Sequence, residues 1–252
     1  MTLWEAIAVL VAGVGAGMIN VIVGSGTLIT FPVLLAVGIP PVTANVSNSF
    51  GLVPGSLSGV IGYRRELAGQ RRRLLRLGSA SLLGGLVGAM LLITLPSGAF
   101  DAIVPVLILL ALVLVVIQPK VARAVAARRH PDGDPDGSLV LLGGVFLTGV
   151  YGGYFGAAQG VLLMALMGML LQEDLQRINA VKNALAMTVN AVAALFFLFT
   201  ATVNWAAAGL IAAGSLVGGL LGAKVGRRLP PAVLRGVIVV VGLAAVTKLL
   251  MS

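Results

Sequence analysis

Apolar residues fall in ten blocks along the chain, at about 3–22, 27–39, 43–63, 77–95, 99–118, 139–155, 160–171, 178–200, 203–223 and 231–250. Most run long enough, with scarcely a charge, for a helix to cross a hydrocarbon core about 30 Å thick. The blocks 27–39 and 160–171 hold only about 12 residues, and each follows a glycine-rich break. Backbone that leaves the helix at membrane depth is tolerated only where protein or a water-filled cavity covers it, so these two predict half-helices or re-entrant pieces. The one hydrophilic stretch of any length, 119–138, carries Arg128, Arg129, His130 and the run DGDPDG. It reads as a cytoplasmic linker between a first membrane half, 1–118, and a second, 139–252.

The halves repeat. A shift of 134 residues, without gaps, brings Gly15 onto Gly149, Gly26 onto Gly160, Asn45 onto Asn179, Ser81 onto Ser215 and Pro96 onto Pro230. Apolar coincidences are cheap in so biased a composition, whereas Asn, Pro and spaced Gly at one shift are less so. Charge then sets the orientation of the copies. Four spans per half would leave Lys224, Arg227, Arg228 and Arg235 outside, against the positive-inside rule. Five segments per half, with the short block turning the chain back, gather the stretches 64–76, 120–129, 177–182 and 224–235 on one side. Only Lys248 of the 17 Lys and Arg is then left out. The expected fold is therefore all-α: a polytopic membrane helical bundle of two inverted five-segment repeats with short broken or re-entrant helices. Both termini face outward, and the architecture puts a binding site near the midplane in many secondary transporters.

Composition narrows the chemistry. With 59% hydrophobic and 10% charged residues and a mean hydropathy of +1.08, the 252-residue chain lies far from soluble domains. Zero cysteines remove disulfides and thiol nucleophiles, and one histidine limits imidazole chemistry. The net charge of +9 reads as a basic cytoplasmic rim, with no nucleic-acid partner implied. The N-terminal MTLWEAIAVLVAG has no Lys or Arg before its apolar run and reads as a retained span. All eight acids (Glu5, Glu66, Asp101, Asp132, Asp134, Asp136, Glu173, Asp174) lie at segment ends or in loops. That disfavours a cation pump with a carboxylate relay, and it removes the usual acid, base and metal ligands of an intramembrane hydrolase. No enzyme, metal or cofactor is expected. The DGDPDG run resembles the opening of a calcium loop, but a loop starting at Asp132 needs Glu where the chain has Gly143. Arg71, Arg72, Arg73 and Arg76 read as a topology anchor that could also bind anionic membrane lipid, and Trp4 and Trp205 as an interfacial belt.

Candidate binding residues cluster in two places. The breaks NVIVGSGTLITFP and YFGAAQGVLLM, residues 20–32 and 154–164, let the backbone unwind. The helix that restarts presents unpaired N–H groups and a positive dipole end, which suit an anion. Gly24, Ser25, Gly26, Thr27, Gln159 and Gly160 are the candidates there. The plainer reading is close helix crossing, as for Gly13/Gly17, Gly55/Gly59, Gly84/Gly88, Gly149/Gly153 and Gly218/Gly222. The second place is ANVSNSFGLVPG against INAVKNALAMTVN, where Asn45, Asn48 and Ser49 match Asn179, Lys182 and Asn183 at the same shift. An intramembrane Lys needs an anion or a helix C-terminus, unless it snorkels to the interface, and the Asn side chains could simply tie helices together.

With these residues in view, the chain resembles the TauE/SafE family of sulfite exporters, the TSUP membrane transporters, over nearly its whole length. The likeness rests on GMINVIVGSGTLITFPVLLAVGIPP, ANVSNS with SGVIGYRR, YGGYFGAAQG and KNALAMTVN. The chain departs from the family pattern in having GSG where a longer glycine run is common, and GAAQG in the second copy. The resemblance implies secondary transport of a small sulfur-containing anion such as sulfite or an organosulfonate in a prokaryotic cell membrane, driven by an existing ion or solute gradient, with proton coupling an option. A passive anion channel or a membrane scaffold without transport is the alternative, and the Gly-rich helix faces leave a homodimer open.

Overall fold

The computed structural model describes residues 1–127 and 138–225, with isolated positions 236, 239, 240 and 243 beyond. The block 231–250, Lys248 and the DGDPDG run lie outside these residues. Within them the chain forms α1 (Leu3–Ile22), α2 (Thr27–Ala36), α3 (Pro41–Gly62), α4 (Arg71–Thr94), α5 (Ser97–Ala127), α6 (Leu139–Tyr154), α7 (Gln159–Leu170), α8 (Leu175–Thr200) and α9 (Trp205–Val225). Five stretches, Leu3–Ile22, Arg71–Thr94, Gly98–Ile117, Leu175–Thr200 and Trp205–Lys224, are long and apolar enough to cross a membrane. The short blocks appear as α2 and α7, of 10 and 12 residues. α5 continues through Ala127, so helix extends into the stretch read as a linker.

Local sequence accounts for most boundaries. Thr2 and Glu5 form a reciprocal capping box at the start of α1, and Asp174 accepts from Gln176 N at the start of α8. Pro41 opens α3 at the position where its missing N–H costs nothing. In each half a short helix follows the first helix and precedes two longer ones. Pro41 and Leu175, which open α3 and α8, stand 134 residues apart, as do Arg71 and Trp205, which open α4 and α9.

Glycine sets how closely the helices approach. A methyl group on Gly13 would come within 3.0 Å of Ile211 Cα, Gly17 presses on the backbone of Ser215, and Gly222 lies on Met18. These contacts ascend together, so α1 and α9 run in the same direction. α4 and α6, the corresponding pair, pack the same way: Gly149 lies on Ser81 and Gly84, and Gly153 on Gly85 and Ala89. Between α3 and α8 the order reverses, with Gly59 beside Asn183 and Ser56 bonded to Asn190. With lipid as solvent, such small-residue contacts supply the close packing that the hydrophobic effect cannot. The glycine pairs are thus occupied by helices of the same chain, and a homodimer would need another face. Outward surfaces carry Leu83, Val106, Leu109, Leu195 and Phe199.

The directions also sort the ends. Trp4 and Trp205 begin the two parallel helices α1 and α9 and are exposed at one end, with Trp205 edge-on to Phe50 at 5.2 Å. Arg64, Arg65, Arg71, Arg72, Arg73, Arg76, Arg177 and Lys224 stand at or near helix ends on the opposite side. There Glu173 pairs with Arg177 at 2.7 Å and with Arg73 at 3.5 Å. Gln70 donates to the Arg177 carbonyl at 3.3 Å, and Arg177 to the Ala68 carbonyl at 3.3 Å. Arg73 also donates to Gln70. This network ties the α3–α4 turn of the first half to the start of α8 in the second.

Candidate functional site

The two breaks, far apart in sequence, touch each other. Gly24 takes φ +90°, which a side chain strains to adopt, and its carbonyl accepts a hydrogen bond from Gly160 N at 3.1 Å. A Cβ on either glycine would overlap the other's backbone. The chain reverses after α1, so that Gly26 sits on Ala16 O and Asn20 Cβ. α2 therefore starts deep in the bundle beside the last turns of α1. In the second break the left-handed residue is Gly156, at φ +74°, and Phe155 packs edge-on to Phe31 of α2 at 5.1 Å.

Each interrupted helix ends on a cap supplied by the other half. Lys182 Nζ, wholly buried on α8, donates to the carbonyls of Asn20 and Val21 at 3.0 Å each. Asn183 Nδ2 adds a bond of 3.3 Å to Val21 O. These carbonyls belong to the last turn of α1, where the helix leaves its acceptors unpaired and its dipole is negative. In the second half Asn45 Nδ2, from α3, donates to Tyr154 O at the end of α6, at 2.9 Å. Asn20 and Tyr154 are counterparts at the 134-residue shift.

The remaining candidate residues divide. Asn48 donates to Thr27 Oγ1 at 3.1 Å and accepts from Thr30 Oγ1, tying the first turn of α2 to α3. Ser25 is fully buried and its Oγ has no partner; its counterpart Gln159 is also buried, with Nε2 unpartnered against Gly152. Asn45 and Asn179, again counterparts, each keep a buried Oδ1 without a partner. Buried polar atoms are nearly always satisfied, so these four, in two symmetry-related pairs, are candidates for contact with a polar ligand. Ser49 is not brought to them: its hydroxyl donates to the Asn45 carbonyl on its own helix, at 3.1 Å. No hydrogen bond joins Asn179 to the other candidates.

Residues that the pattern reading missed complete the picture. Tyr151 OH accepts from Ala158 N at 3.2 Å and steadies the second break. Asn20 Nδ2 and Asn190 Nδ2 both donate to Ser56 Oγ, at 3.2 and 3.4 Å. Ser56 and Asn190 stand 134 residues apart, so the shift that paired Asn45 with Asn179 also pairs them, one seryl and one amide, across unlike side chains.

Apolar outer faces, a polar interior and membrane-length helices together define a polytopic integral membrane protein. The chain belongs to the sulfite exporter TauE/SafE family, whose family model matches residues 9–249. It is 27% identical over 243 residues to a probable membrane transporter protein of Haemophilus influenzae, covering 94% of this chain and 91% of the relative. It is 30% identical over 240 residues to the probable membrane transporter protein YfcA of Escherichia coli K12, covering 93% and 86%. A Sinorhizobium probable membrane transporter protein, ORF9, is 27% identical over 240 residues, covering 95% and 90%. The family is one of membrane transporters.

Proposed function

We propose that the chain is a secondary transporter of a small sulfur-containing anion, sulfite, a sulfonate or a related organosulfur compound, working by alternating access about a site inside the bundle. The observation that carries this reading is the meeting of the two breaks. It brings the starts of two membrane-interior helices, Lys182 and the unpartnered Ser25 and Gln159 into one region. Helix N-termini and a buried cation favour an anion, and along the sequence all eight carboxylates stand at segment ends or in loops. An ammonium has three donors, and Lys182 spends two on carbonyls, so it contributes its charge chiefly from behind the site.

The two halves act as an inverted pair, consistent with the antiparallel course of α3 and α8 and with the separate ends for Trp and Arg. The basic end faces the cytoplasm of a prokaryotic cell, the N-terminus faces out, the C-terminus lying outside the described residues, and the Arg73–Glu173–Arg177 network closes the inner side by tying the halves together. Uptake of radiolabelled sulfite into proteoliposomes, with taurine, sulfoacetate and sulfate as competitors and with or without a pH gradient, tests the reading. Saturable, competed uptake with counterflow is expected. Conductance without saturation indicates a channel, and absence of flux in folded protein removes sulfur anions as substrates. Lys182→Ala should reduce uptake far more than Lys248→Ala at equal expression.

A further inference from the structure

Asn20, Ser56 and Asn190 come from α1, α3 and α8, and nothing in the linear pattern ranks them above the other polar residues. Ser56 is 1% exposed, yet Asn20 and Asn190 are only half-buried. Each amide spends Nδ2 on the Ser56 hydroxyl, and among the described residues neither amide oxygen has a hydrogen-bond partner. A primary amide turned toward acyl chains would leave polar atoms unsatisfied at a cost of about 2–7 kcal/mol. The half-exposed sides of these amides therefore face water, in a crevice enclosed by the helices. Ser56 and Asn190 are mutual counterparts in direct contact on antiparallel helices, so the axis that exchanges the halves passes beside them, where inverted-repeat carriers hold their substrates.

Lys182 stands behind the crevice. The carbonyl of Asn20 holds the Lys182 ammonium at 3.0 Å, and the Asn20 side chain lies against Gly26 at the start of α2. With two lone pairs of Ser56 Oγ occupied by amide N–H groups, its own proton remains to donate, and both amides carry a second N–H. We propose that Asn20, Ser56 and Asn190 form an anion-binding crevice on the axis between the halves, holding a small oxyanion by neutral hydrogen-bond donors while Lys182 supplies charge from behind. This assignment deepens the transport reading given above and rests on it for the substrate class, but not for the existence of the crevice.

The absence of native cysteine makes the test direct, since a single introduced thiol is the only one present. Asn20→Cys, Asn190→Cys and the lipid-facing control Leu195→Cys, at a position 59% exposed on the apolar surface of α8, are each treated with anionic and cationic membrane-impermeant methanethiosulfonates. The thiols at 20 and 190 should react and the one at 195 should not. The anionic reagent should react about tenfold faster than the cationic one after correction for free-cysteine rates, equivalent to about 1.4 kcal/mol. No reaction at 190 in monodisperse protein, or preference for the cation, overturns the crevice. In proteoliposomes Asn190→Ala should lower subsaturating sulfite uptake about tenfold, with Asn190→Gln retaining part of it. Wild-type uptake with Asn190→Ala unimpaired overturns the binding role and leaves the transport reading standing. Labelling as expected with no wild-type uptake of any sulfur anion sustains the crevice and removes the substrate class instead.

Discussion

The breaks after α1 and after α6 occupy equivalent places in the two halves, but they are held differently. At the first, two carbonyls of the helix end, Asn20 and Val21, meet an ammonium and an amide from α8. At the second, the Tyr154 carbonyl meets one amide, from Asn45 on α3. The residue matching Lys182 is Asn48, and it does not reach the end of α6; it holds Thr27 and Thr30 at the start of α2. The backbone of the duplication is thus kept while its electrostatics have become one-sided. A charge buried without a carboxylate is tolerated because the helix end it caps supplies partial negative charge, about half an elementary charge in all. The two breaks are therefore electrostatically unequal, although the surrounding backbone is repeated.

The two breaks differ most at their glycines. Gly24 corresponds to Ala158, which has φ −132°, whereas Gly24 has φ +90° and lies against Gly160. Gly24→Ala should abolish the folded, monodisperse protein in detergent, since overlap with backbone adds to the strain of about 1–2 kcal/mol for a left-handed side chain. Ala158→Gly should be tolerated. If both variants behave alike, the contact between the breaks does not exist as described.

Next comes the caps. Lys182→Met leaves two helix-end carbonyls of the first break without their charged donor, for an expected loss of about 3 kcal/mol in stability. Asn45→Ala at the second break removes one neutral bond and should cost about 1 kcal/mol. Thermal unfolding followed by fluorescence-detected size exclusion measures both, and a larger shift for Asn45→Ala would reverse the asymmetry between the two breaks. A smaller effect is expected at the basic end, where Glu173→Gln weakens pairs with Arg73 and Arg177 that are partly open to solvent. Its stability should change by less than about 1 kcal/mol. Its signature should instead be faster labelling of a thiol placed at Ala180, which is buried beneath that network, if the network closes the inner side. Unchanged labelling would separate the network from gating. Smallest of all, Thr30→Val should cost about 0.5 kcal/mol, because Thr27 still accepts from Asn48.

Much of this molecule could be read along the chain. Hydrophobic runs located the long helices, glycine preceding 27–36 and 159–170 located the short ones, and one shift related the helix starts of both halves. These features are local or periodic: a buried backbone in lipid must close its own hydrogen bonds, so span length and breaks are written in composition. The same pattern ranked Ser49 with Asn45 and Asn48, but the helix turns its hydroxyl back to a carbonyl four residues earlier, an option every Ser on a helix has. Nor could it rank Asn20, Ser56 and Asn190, because their contact depends on how α1, α3 and α8 interlock.

An all-helical membrane protein with two interrupted halves, and a small set of polar residues obliged to find partners, thus follows from the residues read in order. Which partners they found depended on the packing of whole helices: Gly24 against Gly160, Lys182 on the end of α1, and two amides on one serine. Helix formation is settled by neighbours a turn away, whereas these contacts join residues as far as 162 positions apart, and the glycine-to-backbone packing of whole helices sets their register.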